Sequence, residues 1–183
     1  MNHKGTQIIK TERLILRKIV QEDAEAIYKY MNDPDVVKYE GWEPHQTVEK
    51  TRGYISWITG NYESDNTYRW GIELNGELIG DILGGKVLAY YIRKDCWSKG
   101  YATEATKAII DFMFSKVGFD RVEAKHAVNN IASGKVLKNA GMRYRGHVKE
   151  MDYCDGEWLD CDFYLLTKEQ YLGQIVSTNG EMR

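Results

Sequence analysis

Residues 86–114, "KVLAYYIRKDCWSKGYATEATKAIIDFMF", restrict the fold more than any other stretch of the chain. A strand-like run, Lys86–Arg93, leads into a short polar turn holding Ser98, Lys99 and Gly100. A helix follows, with Ala102, Ala105, Ile109, Phe112 and Met113 along one face. A helix apolar on one side must bury that side, and the preceding strand supplies a sheet to bury it on. The turn raises a separate question. The first N–H groups of a helix have no intrahelical partner, and the helix dipole is positive there. Gly100 lets a ligand approach the backbone closely and Ala102 does not obstruct it. On residue types alone a plain helix start fits at least as well as a phosphate seat, because such glycines are common punctuation.

The remaining pattern agrees with a layered α/β protein. "TERLILRKIV" (11–20) predicts a strand with Leu14 and Leu16 on one face. Ala24, Ile27, Tyr28 and Met31 have helical spacing, and Asp33-Pro34 ends that helix. Val48, Thr51, Ile55 and Ile58 mark a second helix. Three strands, "TYRWGIEL", "ELIGDIL" and "KVLAYYIR", follow, with Asn75-Gly76 and Gly84-Gly85 as tight turns between them. The Gly84-Gly85 turn would make the central hairpin short. After the long helix come a strand ("DRVEAKHAV"), a helix ("NIASGKVLKNAGM") stopped by Gly141, and two strands around Asp155-Gly156. Leu159, Cys161, Phe163 and Leu165 alternate along the last strand. The predicted order is β-α-α-β-β-β-α-β-α-β-β.

Composition removes several classes of function. The 183 residues, 43% of them apolar, suit one domain over 1–183 with a core over 11–167. The tail, 172–183, is expected to be held by local contacts only. A net charge of −2, with no basic run, argues against nucleic acid as a partner. There is no apolar stretch of membrane-spanning length, and "MNHKGTQIIK" lacks the pattern of a signal peptide. The three cysteines, Cys96, Cys154 and Cys161, lack zinc spacing, and the four histidines are scattered. A reduced cytoplasmic protein with no metal site is the expectation.

Neither the P-loop nor the dinucleotide fingerprint is present. "WSKGYATEA" (97–105) instead resembles the acetyl-CoA loop of GNAT-family N-acetyltransferases, whose pattern is Arg/Gln-x-x-Gly-x-Gly/Ala. Gly100 and Ala102 match its last two letters. Trp97 stands in the Arg/Gln place, as in the ribosomal-protein N-terminal acetyltransferase subgroup, and Ser98 replaces that subgroup's usual glycine. "TERLILR" is similar to the subgroup's opening strand, and "DGEWLDCDFYLLT" (155–167) to its closing hairpin. "NIASGKVLKNAGM" (130–142) resembles its Asn-x-x-Ser helix, with Met142 in place of phenylalanine.

The resemblance implies a mixed, mostly antiparallel seven-stranded sheet carrying about four helices. It also implies acetyl-CoA as co-substrate, an amine acceptor on a peptide N-terminus or a small molecule, and leaves a homodimer open. Ser98, Lys99, Gly100, Tyr101, Ala102 and Thr103 would hold the diphosphate. The backbone of Tyr90, Tyr91 and Ile92 would pair with pantetheine, while the two tyrosine rings also suit ordinary strand positions. Asn130 would cap its helix and hold the pantetheine arm. Many relatives carry a tyrosine acid where this chain has Leu137; Ser133, one turn earlier on the same face, would protonate or hydrogen-bond the thiolate instead, and also suits a plain helix-surface hydroxyl near the cap. Asp152 is the expected base, with Glu150 on the same strand face; either also suits a solvated carboxylate. In "YEGWEPH", Glu40 and Glu43 would attract an ammonium and Trp42 would pack beside it; an exposed loop with an anchoring tryptophan is the alternative. A CoA-binding module without catalysis is the alternative function.

Overall fold

In a computed structural model, which describes residues 5–63 and 67–180, the strands fall into two sheets. β1 (Ile9–Lys10), β2 (Ile15–Arg17), β3 (Thr67–Leu74), β4 (Glu77–Gly85) and β5 (Ala89–Ile92) lie in that order in one antiparallel sheet. β6 (Arg121–Ala127), β8 (Glu157–Thr167) and β7 (Arg143–Cys154) form the other, with β8 in the middle. The expected single seven-stranded sheet is thus eight described strands in two groups. Among the described residues one parallel bridge joins them, Val87 to Glu123, with Leu88 N–H donating to the Glu123 carbonyl at 2.9 Å. Past that bridge β5 and β6 diverge.

Helices cover both faces. α1 (Ala24–Met31), α2 (Pro34–Val37) and α3 (Val48–Gly60) lie on one side. There Ile19, Ile27, Tyr30, Met31, Ile55, Ile58 and Leu78 form a compact apolar cluster. α4 (Tyr101–Phe112) crosses the opposite face over Leu14, Leu16, Trp70, Ile72 and Ile82, as its stripe requires. α5 (Ile131–Asn139) and α6 (Lys168–Gly180) complete the fold.

Several expectations change for identifiable reasons. Asp33-Pro34 does not simply end α1: the Asp33 side chain caps α2, whose first residue is Pro34. Tyr30, not Tyr28, is the tyrosine fully buried on α1, because its hydroxyl has a buried carboxylate to reach. Gly84 and Gly85 are not a turn. They lie inside β4, paired with Tyr68 and Thr67, and a Cβ on Gly84 would meet Ile109 at 2.8 Å and Trp70 at 3.0 Å. Gly84 serves close packing under α4, and the connection moves to Lys86–Leu88. Asn75-Gly76 and Asp155-Gly156 do form turns with positive φ at both residues. On β8, Cys161 is buried as expected, but Tyr164 and Leu166 take the core positions instead of Phe163 and Leu165. Beyond Tyr171 the chain continues in α6 to Gly180, with Gln174 donating to the Gly141 carbonyl at 2.9 Å; residues 181–183 lie outside the described residues.

Candidate active site

The turn into α4 is left-handed at two residues, Ser98 (φ 59°) and Gly100 (φ 83°). Glycine suits such a φ; a serine there is strained. Ser98, Lys99 and Gly100 are exposed, and Tyr101, Ala102 and Thr103 half-buried. Among the described residues no side chain caps the helix, which leaves its first N–H groups without a side-chain partner. This arrangement fits a diphosphate. The turn is braced from behind by residues whose role sequence reasoning missed. The Glu104 carboxylate accepts from the Thr11 hydroxyl at 2.6 Å, the Arg13 amide at 2.8 Å and the Arg13 guanidinium at 2.7 Å. Arg13 also donates to the Lys99 carbonyl at 3.0 Å and stacks on Tyr101. Burial pushes the Glu104 carboxyl up, but these donors outweigh it and hold it below the usual carboxylate range.

β5 reaches this turn along the gap between the sheets. β4 pairs with one edge of Ala89–Ile92; the other edge has no ladder partner among the described residues. Trp97 closes the strand by donating its indole N–H to the Ile92 carbonyl at 2.7 Å. Neighbouring strand residues point to opposite faces, so Tyr90 and Tyr91 diverge. Tyr90 turns toward α5, where its hydroxyl shares a 2.8 Å hydrogen bond with the Ser133 hydroxyl and lies 3.2 Å from the Ser133 carbonyl. Burial pushes the Tyr90 phenol up to about 12. Asn130 is the N-cap of α5, accepting from the Ser133 amide at 3.2 Å. Leu137, one turn on, is buried in the core.

Tyr91 turns to the other side, within hydrogen-bonding reach of Glu40. Trp42 stands edge-on to it, ring centroids 6.1 Å apart. The segment carrying Glu40 and Trp42 spans the gap between the sheets. The Cys154 thiol lies 2.6 Å from the Glu40 carbonyl, and the Tyr39 hydroxyl donates to the Asn129 carbonyl at 3.1 Å. Glu43 does not join this group among the described residues; it is exposed, and its carbonyl lies 3.5 Å from Lys50 Nζ.

Asp152 is paired with Lys125 and also accepts from the Cys161 thiol at 3.3 Å. Glu150 does not share its strand face: the register of β7 shifts between Val148 and Asp152, and Glu150 takes φ 51°. Its amide instead donates to Asp160 at 3.0 Å.

Behind Tyr91 lies a buried polar group. Arg69 on β3 and Asp81 on β4 form an ion pair at 3.2 Å, and the Tyr30 hydroxyl donates to Asp81 at 2.8 Å. Arg69 also donates to the Tyr54 hydroxyl. Burial pushes the Asp81 carboxyl up, against the pull of Arg69 and Tyr30. Charged residues inside otherwise apolar strands, "TYRWGIEL" and "ELIGDIL", were the available signal. Among the described residues no cluster of side chains could hold a metal ion, and no helix is long and apolar enough to cross a membrane.

Comparison with known proteins identifies the family. The family described as acetyltransferase (GNAT) domain matches residues 13–143. The chain is 32% identical over 172 residues to the uncharacterized N-acetyltransferase YoaA of Bacillus subtilis, covering 88% of this chain and 97% of that one. A GNAT-family acetyltransferase from Bacillus anthracis superposes with a TM-score of 0.80 at 29% identity, covering 89% and 99% of the two chains. RimL, a ribosomal L7/L12 α-N-protein acetyltransferase solved with coenzyme A, shares the fold with a TM-score of 0.79 at 17% identity, over 88% and 98%. With the family matched across more than half of its residues, the chain belongs to the GNAT acetyltransferases and is an acetyl-CoA-dependent acyltransferase.

Proposed function

We propose that the protein moves an acetyl group directly from acetyl-CoA to a primary amine, borne by a protein N-terminus or a small molecule. The observation that carries this reading is the pairing of Ser133 with Tyr90 on β5, whose second edge has no ladder partner among the described residues. Ser98 to Thr103 would hold the diphosphate through main-chain amides, with Lys99 adding charge. The backbone of Tyr90, Tyr91 and Ile92 would pair with the pantetheine arm and polarise the acetyl carbonyl, with Asn130 at the same arm. Ser133 would give its proton to the departing thiolate. On the far side of β5 stand two carboxylates, Glu40 and Asp152, either of which suits removal of the ammonium proton.

Direct transfer is supported by the cysteines. All three are free and buried, and burial pushes the Cys161 thiol up to about 11, so no ready thiolate nucleophile is present. Reduced thiols also support a cytoplasmic location. RimL's action on a ribosomal protein supports peptide N-termini as the first acceptors to try.

The test is a panel of amines assayed for release of free CoA thiol. It contains peptides beginning with alanine and serine, a linear polyamine, an amino acid and an aminoglycoside. Acetyl-CoA should raise the melting temperature, and at least one amine should release thiol. A thermal shift with no release from any amine would leave a binding module; no shift would end the proposal.

A further inference from the structure

Because β5 sends consecutive side chains to opposite faces, it presents a hydrogen-bonded tyrosine on each face. Tyr90 and Ser133 stand on one side, Tyr91 and Glu40 on the other. The two acceptor-side carboxylates are not equivalent. Asp152 is engaged by the Lys125 ammonium and the Cys161 thiol. Glu40 forms no ion pair among the described residues, and its backbone is fixed by Cys154. We infer that Glu40 is the general base of the transfer and that, with Tyr91 and Trp42, it seats the acceptor ammonium. This rests on the transferase reading above.

The proton and electron flow balances. The Glu40 carboxylate takes one proton from the ammonium. The freed nitrogen lone pair forms the N–C bond while the carbonyl π pair moves to oxygen. Collapse returns the oxygen pair to the carbonyl and breaks C–S; sulfur leaves with the C–S bonding pair and takes the Ser133 hydroxyl proton. Ser133 regains its proton from solvent, with Tyr90 hydrogen-bonded to it throughout. The second amine proton and the one on Glu40 pass to solvent, so one proton is released per acetyl group.

The surroundings suit the role. Burial pushes the Glu40 carboxyl up, and Asp152 on β7 adds to the rise; Tyr91 on β5, Arg69 on β3 and Lys125 on β6 oppose it. Tyr54 on α3 also faces it. A carboxylate with raised proton affinity is a better base near neutral pH. It also carries a cost. A folded-state value above the unfolded one favours the protonated form, so stability is lost as pH rises through the raised value.

Wild type, Glu40→Gln and Asp152→Asn are compared on the same amine panel across pH. Glu40→Gln should keep its stabilisation by acetyl-CoA, lose about 10²- to 10⁴-fold in kcat and lose the acidic limb of the wild-type profile. Asp152→Asn should keep that limb, displaced to lower pH, because a neighbouring negative charge is gone. Without amine, Glu40→Gln should melt above wild type at about pH 8, the gap closing toward about pH 4. Wild-type turnover in Glu40→Gln overturns the inference, as does an acidic limb that survives there and vanishes in Asp152→Asn. A Glu40→Gln protein less stable than wild type at about pH 8 makes Glu40 a structural anchor and overturns the inference too. If wild type releases no thiol with any amine, it is the transferase reading that fails, and this inference goes with it.

Discussion

A single hydroxyl pair shows how residue chemistry is set by neighbours. Ser133 is an ordinary alcohol, yet it lies on an α5 turn capped by Asn130 and 2.8 Å from a Tyr90 phenol held neutral by burial. A neutral phenol with a value of about 12 stays a hydrogen-bond donor across the working pH range. Removing each hydroxyl should therefore act differently. Ser133→Ala should lower kcat by about 10²-fold or more with little change in the KM for acetyl-CoA. Tyr90→Phe leaves the serine in place and should lower kcat only about three- to tenfold, the worth of one hydrogen bond. Steady-state kinetics on an active amine check both; a large KM rise in Ser133→Ala with kcat unchanged would make Ser133 a binding residue. The serine could be singled out only through the resemblance of "NIASGKVLKNAGM" to the family's Asn-x-x-Ser helix. The tyrosine's hydrogen bond to it could not be read, because an aromatic in a strand is ordinary until its partner across the gap is known.

At the scale of elements, the α4 stripe was legible because a helix announces itself within its own dozen residues. Ala105, Ile109, Phe112 and Met113 are all buried as the spacing requires. What fixes the start of that helix was not legible, because Thr11 and Arg13 lie some ninety residues from Glu104 in sequence. For the same reason Gly84-Gly85 read as a turn: its real constraint, close packing beneath Ile109 and Trp70, is tertiary. The Arg13–Glu104 brace makes its own prediction. Glu104→Gln keeps the helix but loses the charge that organises Arg13, so the turn at 98–100 loosens. The KM for acetyl-CoA should rise roughly three- to tenfold with kcat nearly constant. Titration of acetyl-CoA against wild type and variant checks it, and an unchanged KM would reduce the brace to decoration. Because Glu104 is held low, the brace contributes above the ordinary carboxylate value and is lost only as pH falls through the depressed one.

Across the whole molecule, the buried pair Arg69–Asp81 joins what the apolar clusters keep apart. It links β3 and β4 to α1 through Tyr30 and to α3 through Tyr54, directly beneath Tyr91. Both charges sit in strands whose other residues read as core, so pairing could be inferred only once the register placed them on one face. Buried pairs stabilise little in total, but removing one partner strands the other. The two single losses are not symmetric. Asp81→Ala leaves a guanidinium that cannot shed its proton, and should cost about 3–5 kcal/mol. For a chain of this length that corresponds to a fall in melting temperature on the order of 10 °C. Arg69→Met leaves a carboxyl that burial already favours in its neutral form, so it should cost less. Its damage should also shrink as the solution is acidified, since protonation removes the stranded charge. Asp81→Leu combined with Arg69→Met should recover most of the loss, because neither charge is left to desolvate. Thermal melts of the three variants across pH decide the matter. Equal losses in the two single variants, or no recovery in the double, would show that the helices depend on the pair's hydrogen bonds to Tyr30 and Tyr54 rather than on its charge balance.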